Sequence, residues 1–155
     1  MTLAPFASLV PAALLLLTLA AACSPAEEAP NPDTPTTEQA LDTTTMERSA
    51  EGIYHRILTE GTGEGAVEGQ RATVHYTGWL MNGEQFDSSR GGRPFYFVIG
   101  RGDVIRGWDL GVAAMKVGER RQMVVPPELG YGDADTGVIP PNSPLVFTIE
   151  LLSLE

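Results

Sequence analysis

The side chains that could build a functional site are aromatic and branched aliphatic ones placed at turns and element ends: Tyr76, Phe86, Trp108, Tyr131 and Ile139. Such residues line apolar binding pockets rather than acid–base centres. Asp87 directly follows Phe86. Taken alone, an aspartate there reads as a turn or cap residue, and Trp108 alone reads as ordinary core. The groups that hydrolytic or metal chemistry needs are sparse. Cys23 is the only cysteine and lies far from these residues, and His55 and His75 are separated by 20 positions. Two isolated histidines do not supply a ligand set. His75 falls in an alternating segment on the face opposite Tyr76 and reads as a solvated strand residue. The glycine-rich turns lack the Gly-Lys-Ser/Thr ending and the strand–turn–helix context of a phosphate loop. The expected chemistry is therefore apolar binding, with no metal and no cofactor.

The segments around these residues read as short strands and one helix. Ile53–Leu58 is predicted as a strand before a glycine-rich turn. Arg71–Leu80 alternates, with Ala72, Val74, Tyr76 and Gly78 on one face and Thr73, His75, Thr77 and Trp79 on the other. Asn82-Gly83 is a strong hairpin signal after it. Phe95–Ile99, Arg120–Val125 and Leu145–Leu152 are further strands; Phe97, Ile149 and Leu151 are core by alternation. The helical stretch is Trp108–Met115, with Leu110, Ala113 and Ala114 sharing a face. These elements predict an α+β domain over residues 51–155, an antiparallel sheet of five to six strands wrapped around one short helix.

Five ordered blocks then resemble a known family. They are Val74-His75-Tyr76-Thr77-Gly78, Phe86-Asp87-Ser88-Ser89-Arg90, Val104-Ile105-Arg106-Gly107-Trp108, Tyr131-Gly132 with Ile139-Pro140-Pro141, and Leu145-Val146-Phe147. In this order and spacing they resemble the FKBP (immunophilin) peptidyl-prolyl cis–trans isomerases over about residues 52–155. The resemblance implies an FKBP-like fold and rotamase activity on X-Pro bonds during the folding of other proteins. It implies a catalytic group of Tyr76, Phe86, Asp87, Trp108 and Tyr131. Phe95, Val104, Ile105, Ile139 and Phe147 would complete the substrate pocket. Trp108 would be its floor and Tyr76, Phe95 and Phe147 its walls. The Ile105 N–H and the Tyr131 hydroxyl would bond substrate carbonyls, with Asp87 near the twisting amide. Partners implied are proline-containing unfolded or flexible polypeptides and macrolides, bound by a monomer. Two departures from the family pattern stand out. The Arg90–Pro94 loop is one residue short, and the Gly132–Val138 flap is short, acidic and has Thr136 or a gap where many members place His. The competing use of such a fold is a non-catalytic binding module or chaperone for unfolded chains.

The first fifty residues differ in character. Residues 1–22 carry no charge and include an apolar run from Ala12 to Ala22. That run is shorter than the ~20 residues of a permanent span. It reads as the core of a signal peptide ending in Ala20-Ala21-Ala22, although Met1–Pro11 lacks Lys and Arg. Cys23 follows directly, and Leu19–Ser24 resembles a bacterial lipobox, so Cys23 is the expected lipid attachment site. Ser24 after the cysteine favours an outer-membrane, periplasm-facing or exterior location. Residues 24–50 are rich in Pro, Thr, Ala and Glu, with no aromatic residue. The sequence predicts a disordered linker from 23 to 50, with a coil reach of roughly 30 Å. Six acids against Arg48 put half of the chain's net charge of −10 in this segment. Acidity of this degree argues against nucleic acid as a partner, and the membrane contact expected is through the lipid alone.

Overall fold

The computed structural model describes residues 42–155. Seven strands form one antiparallel sheet: β1 (Glu47–Arg48), β2 (Tyr54–Thr59), β3 (Arg71–Leu80), β4 (Gln85–Ser88), β5 (Phe95–Val98), β6 (Arg120–Val125) and β7 (Leu145–Leu154). A single α-helix, α1 (Arg106–Val112), lies between β5 and β6. The strand order is β1-β2-β6-β7-β3-β4, and β5 pairs with the first half of β3. The long strands β3 and β7 form the centre of the sheet, paired from Ala72 opposite Leu154 to Leu80 opposite Leu145 with a one-residue shift between Thr73 and Val74. The α+β expectation holds, with one more strand than the sequence suggested.

The extra strand is β1. Linker composition pointed to disorder through residue 50, yet Glu47 and Arg48 pair with His55 and Tyr54. Met46 is buried with Trp79, Val124 and Val146 on the outer face of the sheet. One large apolar residue in a polar stretch is enough when it lands on an apolar patch. A composition window averages such a residue away. The expectations at Cys23, the signal peptide and the remainder of the linker lie outside the described residues.

Alternation places Ala72 and Val74 of β3 on the inner face, with Leu145, Phe147, Ile149 and Leu151 of β7, all buried in the main core. The helix covers that face. Its inward residues are Gly107, Trp108, Gly111 and Val112. Leu110 and Ala113 pack on the core only half-buried and Ala114 is exposed, so the apolar stripe read from the sequence borders the buried face instead of forming its centre. The reason is steric. A Cβ on Gly107 would lie 2.4 Å from Val125 Cγ1, and one on Gly111 would lie 2.3 Å from Met123 Sδ. The helix backbone rests directly on β6 at these two positions, and a hydrophobicity pattern does not register a contact made by glycine. The helix also starts and ends earlier than predicted, because Ile105 serves as its N-cap. Arg121, buried in β6, closes its other end: Nη1 donates to the Gly111 carbonyl at 3.3 Å and Nη2 to that of Ala114 at 2.9 Å. Glu119 holds Arg121 through Nε at 2.6 Å. Carbonyls left open by the helix thus find a cationic partner.

Candidate functional site

The helix begins under the inner face of β3, and Trp108, in its first turn, is carried into the space between β3, β5 and β7. Its indole is 4% exposed. Four aromatic rings surround it. Ring centroids lie 4.8 Å away for Tyr76, 5.3 Å for Phe147, 5.8 Å for Phe97 and 6.1 Å for Phe95. Tyr76, Phe147 and Phe95 meet it edge to face, the arrangement favoured by ring quadrupoles. Phe86 stands edge-on to Phe147 at 5.7 Å. Gly78 permits this approach, since a Cβ there would sit 2.6 Å from Phe86 Cζ and 2.9 Å from Phe147 Cε1.

These side chains enclose an open cavity of about 260 Å³. Tyr76, Phe86, Asp87, Phe95, Val104, Ile105, Trp108, Tyr131 and Phe147 all line it. Of the residues singled out from the sequence, Ile139 alone does not line it. It is 5% exposed within the main core, below the flap, where its N–H donates to Thr136 Oγ1 at 3.0 Å. Asp103 lines the cavity as well and was not anticipated. Its only sequence signal is adjacency to Val104.

Polar groups are few and fixed. The Tyr76 hydroxyl donates to Asp87 Oδ2 at 2.6 Å, and Ser88 N–H donates to Asp87 Oδ1 at 2.8 Å. Burial of the ring, then the hydrogen bond to Asp87 and the charge of that carboxylate, hold the Tyr76 phenol well above the ordinary tyrosine range. Tyr76 therefore stays a neutral donor at physiological pH. Ile105 accepts from Trp108 N–H at 2.9 Å through its carbonyl, while its own N–H has no acceptor among the described residues. Tyr131 is 44% exposed at the cavity mouth. His75 is outside the lining. It is half-buried rather than solvated, with Nδ1 3.0 Å from Ser89 Oγ, which also accepts the Tyr76 N–H at 2.9 Å.

Among the described residues there is no group of three or more His, Cys, Asp or Glu arranged to hold a metal. No helix among them is long and apolar enough to cross a membrane. The arrangement can hold a small apolar ring on the indole and exclude water from it. It can also offer N–H and hydroxyl donors at the rim to carbonyl groups on either side.

Residues 63–152 match the FKBP-type peptidyl-prolyl cis-trans isomerase family. The chain is 49% identical over 105 residues to an FK506-binding protein of Neisseria meningitidis serogroup B, covering 66% of this chain and 96% of that one. It is 52% identical over 105 residues to the peptidyl-prolyl cis-trans isomerase Fkbp12 of Drosophila melanogaster, covering 64% and 97%. Among solved structures it is similar to AtFKBP13, with a TM-score of 0.68 and 40% identity over 71% of this chain and 98% of that one. It is also similar to FkpA from Escherichia coli, with a TM-score of 0.67 and 36% identity over 77% and 55%.

Proposed function

Since the chain belongs to the FKBP-type peptidyl-prolyl cis–trans isomerases, we propose that the aromatic cavity over Trp108 is where it isomerises X-Pro bonds, in extracytoplasmic proteins. The observation that carries this reading is the cavity itself: an open hollow walled by aromatic side chains and floored by a buried indole, with the Ile105 N–H unpaired at its wall.

Rotation about an X-Pro bond breaks no covalent bond. Its barrier is ~18–20 kcal/mol, and the uncatalysed event takes roughly 10–100 s. The barrier is amide resonance, which places negative charge on the carbonyl oxygen, a form that water stabilises. Trp108, Tyr76, Phe95 and Phe147 seat the proline ring and displace that water. The twisted amide, with less charge separation, loses less by desolvation than the planar one. The cavity then binds the twisted state more tightly, which is how binding becomes rate acceleration. The Ile105 N–H and the Tyr131 hydroxyl hold the flanking carbonyls. Asp87, locked by Tyr76 and Ser88, presents an oriented carboxylate beside the rotating amide, and Phe86 and Val104 close the sides. Ile139 acts from beneath, by supporting the flap. FK506-type macrolides are ligands of the same cavity, as the names of the relatives suggest.

The site is delivered outside the cytoplasm by the amino-terminal segment. In this reading residues 1–22 are removed, Cys23 is acylated, and the following residues tether a monomeric domain to the membrane, the outer one by virtue of Ser24. The support is compositional: an uncharged apolar start, Ala-Ala-Ala before the sole cysteine, and an acidic Pro/Thr-rich stretch after it.

A protease-coupled or NMR exchange assay on a Leu-Pro peptide tests the activity. Turnover no faster than the uncatalysed rate, with the peptide still bound, would replace the enzyme by a binding module. Cys23→Ser is expected to move the protein from the membrane to the soluble fraction with unchanged isomerase activity. A wild-type chain that is soluble and unacylated by mass spectrometry sinks the lipoprotein reading.

A further inference from the structure

We propose that Asp109 is a positioning residue of this site: its carboxylate pins the Gly100–Ile105 loop to the helix that carries Trp108. The inference rests on the isomerase reading and extends it to a residue outside the cavity lining. Asp109 sits in the first turn of α1, directly after Trp108. Its Oδ1 accepts the Gly100 N–H at 2.9 Å and its Oδ2 accepts the Gly102 N–H at 3.0 Å. One side chain thus engages the loop with both oxygens. Charge-assisted bonds of this kind are the stronger ones.

The loop it holds runs from the end of β5 to the start of α1 and contributes Asp103, Val104 and Ile105 to the cavity. Apart from the Ile105 carbonyl, which accepts the Trp108 N–H at 2.9 Å where the helix begins, its other ties in this stretch are longer and stay local. Val98 N–H reaches Asp103 Oδ2 at 3.4 Å, and Arg101 N–H reaches the Val98 carbonyl at 3.4 Å. Those contacts bind the loop to β5, from which it departs. The Asp109 pair binds its middle to the helix. In consequence the unpaired Ile105 N–H and the Val104 side chain stand at a set distance from the Trp108 indole. That distance is the one an X-Pro segment must span, with its ring on the indole and its carbonyl on the N–H. Released from Asp109, the loop samples wider positions, and the donor no longer coincides with the seated ring.

The test compares the whole chain with Asp109→Ala and Asp109→Asn, each verified as folded by its thermal transition. For a Leu-Pro peptide, Asp109→Ala is expected to raise KM by about tenfold or more, as loss of two bonds to a charged acceptor implies, with a smaller change in kcat. Asp109→Asn keeps one acceptor oxygen and should fall between. Hydrogen–deuterium exchange should accelerate over residues 99–105 in both variants and stay unchanged in β7. A purely structural role would lower the thermal midpoint while leaving the KM of the folded protein alone. Folded Asp109→Ala with wild-type KM, or with wild-type exchange in the loop, overturns the proposal. A wild-type chain that neither binds nor turns over the peptide instead brings down the isomerase reading, and this inference with it.

Discussion

In the proposed mechanism Trp108 serves through shape and dryness, since an indole is neither acid nor base. Trp108→Ala is expected to depress isomerase activity strongly while costing roughly 3–5 kcal/mol of stability, as truncation of a buried aromatic does. Rates must therefore be compared on folded protein, by circular dichroism and single-turnover assay. Asp87→Leu separates the effects better, because Asp87 is exposed and its loss opens no core cavity. If its carboxylate acts on the rotating amide, kcat drops while peptide affinity changes less. His75→Ala, outside the lining, should leave the rate intact. Tyr76 makes a different prediction, about pH. Its phenol has a folded-state pKa raised above the unfolded value by burial and by Asp87. The stability that goes with the neutral form is thus fully present below the unfolded tyrosine value, near 10. It is lost as pH rises above that value, where only the unfolded chain gives up the proton. Thermal midpoints measured from pH 8 to 11.5 should decline above pH 10 in the wild type, and Tyr76→Phe should decline less steeply. Equal slopes would show that the Tyr76 phenol is not held above its unfolded value in the folded chain.

At the scale of the element, the helix is positioned by what it lacks. Gly107 and Gly111, one turn apart, let its backbone lie against Val125 and Met123, and that depth brings the Trp108 ring within reach of β3 and β7. Gly107→Ala is expected to destabilise the fold by about 1–3 kcal/mol through overpacking, because Val125 is β-branched and fully buried and has no free rotamer to yield. Gly111→Ala meets the thioether of Met123, a flexible side chain, so its cost should be smaller. Urea unfolding of both variants measures the difference, and a Gly111 variant less stable than the Gly107 variant would refute the ranking. The helix would also ride outward in Gly107→Ala, lifting the cavity floor, so activity should fall further than stability alone requires.

Over the whole molecule, the fold begins before residue 51. The segment that includes Met46 and β1 covers Trp79, Val124 and Val146 on the face of the sheet opposite the helix. No residue from 42 to 50 lines the cavity. Removing residues 1–50 should therefore lower stability relative to a chain starting at residue 42, by about 1.5–3 kcal/mol for one large side chain unburied, and leave kcat/KM unchanged. Differential scanning calorimetry of the two fragments reads the first effect and the peptide assay the second. Equal midpoints would return the boundary to residue 51.

How much was legible in the sequence differs between these levels. Alternation in Arg71–Leu80 located β3 to the residue, the bounds read for the Arg120–Val125 strand match β6, and Asn82-Gly83 located the turn to β4, because strand period and turn chemistry are local properties. Eight of the residues that line the cavity lie in the ordered blocks, and the resemblance those blocks carry named a ninth, Phe95. The rest was not local. Asp103 enters the lining because the loop folds inward, and Ile139 leaves it because the flap sits on top of it. Met46 is core only because an apolar patch on β6, β7 and β3 needs a cover, and the buried face of α1 is set by two glycines with no hydrophobic signature. A chain records its elements in neighbouring residues, whereas contacts between residues distant in sequence arise only when the sheet closes on the helix. The open cavity over Trp108 is such a contact, made by β3, β5, α1 and β7 together.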